Sequence, residues 1–275
     1  MKKSHKIALF IIIAVSLAAL AAYAAYYVRY NSQPEQCVTP NVNAKHLKAD
    51  VIEIDVNGCT ITLVGMEGGT FKKGATAEQE KDIFKDERPV HSITLGSFYI
   101  SKYPVSNELW EAVNSTTGSV NSSFGGTQPK TNVTWDECQA FIDRLNKLTG
   151  KHFRLPTEAE WEFAARGGVD SKHFKYSGAN SIEDVVYGNI ESNESGLCKM
   201  NGFANEWCSD YYGSYSMLSQ TNPVGPSSGA GRVYRGGHFN TIDPNDRECR
   251  VSARYYLPQN MARNDLSFRL VLTAE

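Results

Sequence analysis

The chain has 275 residues, of which 41% are hydrophobic and 11% aromatic, enough for one large packed domain or two small ones. Its 28 basic and 30 acidic residues give a formal charge of −2, with neither a basic stripe nor an acidic tail, which excludes nucleic acid as an expected partner. Six cysteines occur without a C-x-x-C pair, so zinc-ribbon and thioredoxin-type sites are not predicted.

The N-terminal region carries a membrane signal. After a lysine-rich start at residues 1–6, predicted to be a cytoplasmic tail, an uncharged segment runs from Ile7 to Val28 and is long enough to cross ~30 Å of hydrocarbon as a helix. The lysines before it predict a single-pass anchor in the cytoplasmic (inner) membrane, with the rest of the chain facing the periplasm or the exterior. The alternative is a signal peptide cleaved near Ala24 at an A-x-A site, which would give a secreted protein.

A linker and then a single domain are predicted to follow. Residues 29–50 are polar, contain two prolines and show no periodicity, as is typical of a linker, and residues 51–275 form the predicted domain. The domain is predicted to begin with a β-hairpin, because apolar residues alternate on both sides of Asn57-Gly58, the dipeptide preferred in type I′ turns. Short strands are predicted at 92–95 and 98–100.

Two helices are predicted from their first residues. Ser106 is a suitable N-cap for a helix that follows it. Thr134 and Glu137 have the spacing of a capping box, and the apolar residues after them recur at helical spacing until Gly150. Gly150 is therefore predicted to end the second helix.

A third helix is predicted with both of its ends visible in the sequence. Thr157 and Glu160 form a second capping box after Pro156, and Gly167 can adopt the left-handed conformation that ends a helix. A small apolar stripe is predicted on it, formed by Trp161, Ala164 and Ala165.

The residues around this third helix resemble a known family. From Arg154 to Gly168 the chain reads R-L-P-T-E-A-E-W-E-F-A-A-R-G-G, which is similar to the signature of the formylglycine-generating enzyme (sulfatase-modifying factor) family. Further segments resemble other motifs of that family in the same order; they are 66–71, 196–207, 235–237 and 267–269. The resemblance covers residues 59–273 and implies an α+β domain with few regular elements, a variant of the C-type-lectin-like fold.

The resemblance also implies a chemistry that depends on two cysteines. Enzymes of the family bind copper through a C-x-x-x-x-C pair of thiolates and oxidise a substrate cysteine with oxygen. In this sequence the two positions are Thr241 and Asp246. Because copper(I) prefers soft sulfur ligands, we predict neither copper binding nor cysteine oxidation. The alternative is a residual oxidase that uses Cys249 with one other cysteine.

The resemblance further implies a structural calcium site, at positions that are Lys199, Gly202, Ala204 and Glu206 here. A lysine has the wrong charge for a cation that requires oxygen ligands, so we predict that this site is degenerate and binds no calcium. We expect the Lys199 ammonium to replace the ion and to pair with Glu206, the alternative being a Lys199 side chain that points to solvent. The scattered histidines predict no other metal site or cofactor.

Two other features of the sequence are interpreted as structural. The G-x-S-x-G at residues 225–229 lies in a turn-rich segment without the strand and helix that a nucleophile elbow requires, so we reject it as a catalytic motif. Cys208 and Cys249 either form disulfide bonds in an exported domain or act as small buried hydrophobic residues, and we favour the second interpretation.

These observations predict a membrane-anchored, non-catalytic domain that acts as a binding or scaffolding module in the cell envelope. Its partner is expected to be an envelope protein or a glycan, bound by the loops at 199–207 and 235–252. The candidate contact residues are Asn205, Arg235, His238 and Arg250. The alternatives are a copper-dependent formylglycine-generating oxidase that acts on a sulfatase cysteine, and a carbohydrate-binding lectin-like module.

Overall fold

A computed structural model describes residues 50–79, 83–115, 128–186, 191–238 and 247–273. These residues belong to one compact unit of the chain, Cys37–Glu275, and the other unit, Met1–Gln36, lies wholly outside them. The predicted cytoplasmic tail, the segment from Ile7 to Val28 and the linker up to residue 49 also lie outside the described residues. Within the described part of the chain, no helix is long and apolar enough to cross a membrane.

The described residues form three sheets built from short strands. The strands are β1 Val51–Val56, β2 Cys59–Met66, β3 Gly69–Lys73, β4 His91–Leu95, β5 Phe98–Ser101, β6 Phe153–Arg154, β7 Asn205–Tyr211, β8 Gln220–Thr221, β9 Arg232–Arg235, β10 Tyr255–Leu257, β11 Leu266–Phe268 and β12 Val271–Thr273. The strand orders are β1-β2-β5-β12-β6, β10-β9-β7-β11 and β3-β4-β8. Neighbouring strands are antiparallel except for the parallel pairs β7 with β11 and β4 with β8.

The residues that the structure describes contain few helices. The helices are α1 Asn107–Asn114, α2 Trp135–Thr149, α3 Glu158–Ala165 and α4 Ile182–Val186, with single 3₁₀ turns at Ala77–Gln79, Lys85–Glu87 and Gly168–Asp170. The domain is therefore a mixed α+β fold with few helices, as the sequence predicts.

The predicted local elements are confirmed. Asn57 and Gly58 have φ angles of 52° and 85°, the positive values that a type I′ turn requires, and they join β1 to β2. The hydroxyls of Ser106 and Thr134 accept hydrogen bonds from backbone N–H groups in the first turns of α1 and α2. Gly150 follows α2 with a φ of 65°, so the left-handed helix end is also confirmed.

Two hydrophobic cores lie on opposite faces of the five-stranded sheet. Successive residues of a strand point to opposite faces, so Leu63 enters one core and Val64 the other. The first core contains α1 and α2 and includes Phe141, which stacks on Trp110 with ring centroids 5.1 Å apart. The second core surrounds α3 and includes Trp161. The position of α3 inside this second core determines the surroundings of its charged residues.

Candidate functional site

Helix α3 lies in the interior with every one of its residues buried. The capping box is confirmed, since the Thr157 hydroxyl accepts from the Glu160 N–H at 3.1 Å and the Glu160 carboxylate accepts from the Thr157 N–H at 2.8 Å. Gly167 has a φ of 88°, the left-handed conformation predicted for it. The predicted apolar stripe is too narrow, because Glu158 and Glu162 are buried as well. Their carboxylates need cationic partners inside the domain.

Glu158 at the start of α3 is surrounded by three cations. Its carboxylate lies 2.9 Å from Lys73 Nζ, 2.7 Å from Arg254 Nε and 3.1 Å from Arg235 Nη1. Burial alone would raise the pKa of Glu158, but Arg254, Lys73 and Arg235 hold this pKa well below its usual range. Glu158 is therefore ionised at neutral pH and joins three separate segments to α3.

Glu162, one turn further along α3, anchors a second set of contacts. It pairs with Arg235, accepts from Arg166 Nη2 at 2.9 Å and accepts from the Gly74 N–H at 2.8 Å. Burial would raise the pKa of Glu162, whereas the guanidinium groups of Arg166 and Arg235 lower it below its usual range. Arg166 also contacts Glu78 at 2.6 Å, which extends the buried network towards the first 3₁₀ turn.

The structure corrects the expected surface roles of Arg235 and Arg250. Arg235 is fully buried and, besides its two glutamate partners, donates to the Val251 and Ser252 carbonyls at 3.0 and 3.3 Å. Arg250 is 1% exposed and forms a bidentate pair with Glu87 at 2.7 and 2.6 Å. Both predictions were wrong, because these guanidinium groups attach the segment 250–252 to the core. Neither guanidinium group is accessible to a partner at the surface.

The expected Lys199–Glu206 pair is also wrong. Glu206 is fully buried and pairs with Arg269, whose Nε and Nη2 lie 2.6 and 2.7 Å from the two carboxylate oxygens. The Trp161 indole N–H donates to the same carboxylate at 2.7 Å. The Lys199 ammonium instead lies over the ring of Phe203, 4.3 Å from its centroid. Arg269, and not Lys199, is the partner of Glu206, because a planar guanidinium group can donate to both carboxylate oxygens at once.

The other positions of the expected calcium site contribute backbone structure. Gly202 has a φ of 70° and donates its N–H to the Gly236 carbonyl at 3.0 Å, and Ala204 is 1% exposed. A calcium ion needs several oxygen ligands with negative charge nearby, whereas the Glu206 charge is already neutralised by Arg269. The residues at this position therefore do not fit a calcium ion.

Asn205, predicted as a contact residue, is buried and organises a polar cluster. It is 1% exposed, so its expected surface role was wrong. Its Nδ2 donates to Asp265 Oδ2 at 3.3 Å and its Oδ1 accepts from the Gly237 N–H at 3.1 Å. Asp265 also accepts from Arg263 Nε at 2.9 Å and lies 3.2 Å from His238 Nδ1. Asn205 and Asp265 thus lie buried beneath His238 and support its side chain.

His238 is the predicted contact residue that the structure leaves partly exposed, with 14% of its side chain accessible. Glu248 lies 3.9 Å from its Nδ1, and Arg263 on the other side of Asp265 donates to the Tyr234 hydroxyl at 2.8 Å. Burial raises the pKa of Tyr234, so it remains a neutral phenol. The cluster thus brings charges of both signs together around His238, with Glu248 and Asp265 negative and Arg263 positive.

The two expected copper positions, Thr241 and Asp246, lie outside the described residues. Cys208 and Cys249 are fully buried thiols, as predicted, and burial raises the pKa of Cys208 well above its usual range. Cys198 is disulfide-bonded, which the sequence did not predict. In the described ranges no three His, Cys, Asp or Glu side chains are grouped so that they could hold a metal ion. The described thiols do not fit a copper site.

Sequence reasoning missed the acidic residues that organise these contacts. Glu158 and Glu162 gave a usable signal, because the helix that carries them has too few polar residues to form a solvent-facing side. Glu87 gave none, since its partner Arg250 is 163 residues away in sequence. Asp265 has Arg263 two residues away, but its other partner, Asn205, is 60 residues away.

The chain is similar to several characterised proteins. It is 29% identical over 244 residues to the serine/threonine-protein kinase pkn1 of Chlamydia pneumoniae, a match that covers 76% of this chain and 38% of the kinase. It is 26% identical over 287 residues to the formylglycine-generating enzyme of Streptomyces coelicolor, covering 77% of this chain and 89% of that enzyme. The chain thus spans little more than a third of the kinase and most of the enzyme.

Solved structures share the fold. Treponema denticola variable protein 1 superposes with a TM-score of 0.68 at 25% identity, over 82% of this chain and 99% of that protein. PvdO from Pseudomonas aeruginosa superposes with a TM-score of 0.68 at 21% identity, over 83% of this chain and all of that protein. Residues 50–274 match the sequence model of a protein family that is described as the sulfatase-modifying factor enzyme 1-like domain. The chain therefore belongs to the sulfatase-modifying factor (formylglycine-generating enzyme) family.

Proposed function

We propose that this protein is a non-catalytic member of its family, anchored in the cytoplasmic membrane by Ile7–Val28, whose domain binds a protein partner in the cell envelope. The observation that carries the proposal is the pair of residues at the copper-thiolate positions, Thr241 and Asp246. A hydroxyl and a carboxylate are hard ligands that do not hold copper(I). The family's oxidation of cysteine therefore has no metal centre to support it here.

The remaining thiols support this proposal. Cys249, the cysteine nearest to the two positions in sequence, is fully buried behind Gly237. Cys208 is fully buried as well, and its raised pKa disfavours the thiolate that copper binding and sulfur chemistry require. A residual oxidase that uses Cys249 would need to expose this thiol and supply a second one.

A binding role is supported by the partly exposed side chains around His238. We define the His238 surface as Lys199, His238, Glu248 and Arg263, all of intermediate exposure. Its two loops are fixed to each other by the Gly202–Gly236 hydrogen bond and rest on the buried Asn205. Charges of both signs on a rigid base favour a protein partner with a complementary pattern, since such patterns give specificity. The similarity to proteins named serine/threonine-protein kinases is consistent with a family domain that serves a role other than cysteine oxidation.

The absence of oxidase activity is tested with the purified protein, copper(I) and a C-x-P-x-R peptide, with the Streptomyces coelicolor relative as the positive control. We expect no aldehyde by peptide mass spectrometry. Aldehyde formation that disappears in the Cys249→Ser variant would overturn the non-catalytic assignment.

The binding role is tested by photo-crosslinking in intact cells. A photoreactive amino acid at Asn264, an exposed position beside Arg263, is expected to capture one specific envelope protein. The matched control is the same substitution at Glu53, an exposed position on the edge strand β1 of another sheet. Equal capture at both positions would contradict the His238 surface, and saturable binding to a glycan array without a protein partner would favour a lectin.

A further inference from the structure

Asp210, near the end of β7, differs from the other buried carboxylates of the described residues. Each of the others forms an ion pair with an arginine; they are Glu87, Glu158, Glu160, Glu162, Glu206 and Asp265. Asp210 is 3% exposed and forms no ion pair with any described residue. Burying an ionised carboxylate without a cationic partner is costly, so the protonation of Asp210 is coupled to its burial.

The contacts of Asp210 are unequal on its two oxygens. Oδ2 accepts hydrogen bonds from the Glu158 N–H at 2.9 Å and from the Ser209 hydroxyl at 3.1 Å. No described residue donates to Oδ1, which faces the backbone of Gly225 so closely that a Cβ added there would lie 3.0 Å from this oxygen. A negative charge on Asp210 therefore lacks a donor on the Gly225 side and can gain one there only from water.

The charged groups around Asp210 compensate its charge only in part. Burial raises the pKa of Asp210 from 3.8 to about 6, and the nearby Glu158 carboxylate raises it further, against the attraction of Lys73 on β3. The Lys73 ammonium is already paired with Glu158 at 2.9 Å. Arg232 on β9 also attracts the Asp210 carboxylate, from beyond ion-pairing distance, and the adjacent Cys208 thiol is neutral. Asp210 therefore exchanges its proton in the range between these two pKa values.

A single uncharged segment separates Asp210 from solvent on the Oδ1 side. We define the covering loop as residues 213–226, none of which has a charged side chain. Gly225 in this loop packs on Asp210 and is itself exposed to solvent. Displacement of the loop at this point would bring water directly to the unsatisfied oxygen.

The covering loop is attached to the rest of the domain through few polar contacts. Within the described residues, the Tyr215 hydroxyl donates to Glu158 at 3.2 Å and the Asn222 N–H donates to the Thr94 carbonyl at 2.9 Å. Strand β8, the part of the loop that pairs with β4, has two residues, both of them exposed. Segments held in this way open locally at a lower free energy than the core of a domain.

We propose that the covering loop is a pH-sensitive lid over Asp210, which stays closed when this carboxyl group is protonated and opens more often once the group is ionised. A protonated Asp210 can remain against Gly225 without a cation. An ionised Asp210 needs water at Oδ1, and water reaches this atom when Gly225 moves away. The device lies outside the His238 surface and does not depend on the proposed partner.

The size of the effect follows from linkage between protonation and opening. The closed loop gives Asp210 the pKa of about 6, and the open loop exposes it to water, where its ordinary pKa is 3.8. The closed state is therefore favoured most strongly below 3.8 and loses this advantage as pH rises through about 6. Between pH 5 and pH 7 the equilibrium constant for opening should increase about ninefold.

Hydrogen exchange of the purified full chain, followed by mass spectrometry, measures this opening. Protection factors for peptides from the covering loop are determined at pH 5 and pH 7, each relative to the intrinsic exchange rate at that pH. Measurements in urea below the unfolding transition separate local opening, which is insensitive to urea, from global unfolding, which peptides from α2 report. Asp210→Asn removes the titrating group, and Asp86→Asn is the matched control, because Asp86 accepts from the hydroxyl of Tyr212 beside the loop at 2.7 Å.

We expect the protection of the covering loop to fall about ninefold from pH 5 to pH 7 in the wild type and in Asp86→Asn, without sensitivity to urea, and to be independent of pH in Asp210→Asn. Constant protection in the wild type would overturn the proposal, whether or not the variants fold. Exchange of the loop that depends on urea as strongly as that of α2 would overturn it by showing that the loop opens only when the whole domain unfolds. An undiminished fall in Asp210→Asn would also overturn it, because another group would then control the loop.

Discussion

The buried pair of Glu206 and Arg269 allows a sharp test of what stabilises this domain. All five N–H groups of Arg269 are used, two on Glu206 and the others on the carbonyls of Ser101, Lys102 and Cys198. Arg269→Met removes these donors but retains a long apolar side chain. The variant leaves the Glu206 carboxylate buried with the Trp161 indole as its remaining donor among the described residues.

The loss of unfolding free energy expected for Arg269→Met follows from the burial of the ion pair. Removing one partner of a fully buried ion pair destabilises a protein by about 3–5 kcal/mol, because the remaining charge is left without compensation. Arg154 provides the matched control, since it also binds a carboxylate with two bonds, 2.7 and 2.6 Å to Glu160, but its side chain is 37% exposed. Arg154→Met is expected to lower the free energy of unfolding by less, about 1–2 kcal/mol, because water reaches the Arg154 side of the pair and the buried Glu160 carboxylate keeps the Thr157 N–H as a donor.

Urea unfolding of the purified protein, followed by far-ultraviolet circular dichroism, measures both free energies. The double variant Glu206→Gln/Arg269→Met should lose less than the two single variants combined, because the partners act as a unit. Equal losses for Arg269→Met and Arg154→Met, or additive single losses, would refute the reasoning. We also expect no change of the urea midpoint with calcium or EDTA, and a calcium-dependent rise that Glu206→Gln abolishes would show that Glu206 binds a cation.

Three further predictions concern the pH dependence, a backbone contact and a helix cap. Burial raises the pKa of Asp210 from 3.8 to about 6, so the folded state retains this proton longer than the unfolded state and loses stability as pH rises between these values. Asp210→Asn does not titrate, and its stability relative to the wild type should rise by about 2 kcal/mol between pH 4 and pH 7 in urea titrations, whereas a pH-independent difference would contradict the shifted pKa. Gly237→Ala places a Cβ 2.9 Å from the Cys249 Cα at a φ of 68°, and it should lower the unfolding free energy by about 2–4 kcal/mol. The control is Gly58→Ala, where φ is 85° and the added Cβ has no neighbouring atom within 4 Å; it should cost about 1–2 kcal/mol. Thr134→Ala removes the N-cap of α2 and should lower the unfolding free energy by about 1 kcal/mol, which Thr134→Ser should largely restore.

The elements that the sequence predicted correctly depend on residues close together in the chain. The capping box of Thr134 and Glu137 spans three positions, and the turn at Asn57 and Gly58 depends on the φ angles of two adjacent residues. Such features form wherever the local sequence allows them. The mixed α+β fold was predicted from the family motif around α3, because short periodic segments alone do not determine a fold.

The predictions that failed concern side chains whose partners are distant in the chain. Arg235, Arg250 and Asn205 stand in loop-like sequence, which predicts exposure, but folding brings glutamate and aspartate side chains against them from segments 60 to 163 residues away. For Glu206 the sequence offered Lys199 as a nearby cation, whereas the fold supplies Arg269 with better geometry.

The sequence by itself determined the helix caps, the hairpin turn, the family and the identity of Thr241 and Asp246, because each of these is a property of neighbouring residues or of a residue type. Only the tertiary structure decided which charges are buried and which residues they pair with. The physical reason is that desolvation and ion pairing depend on distances in space, which the chain sets only when its strands and helices have packed.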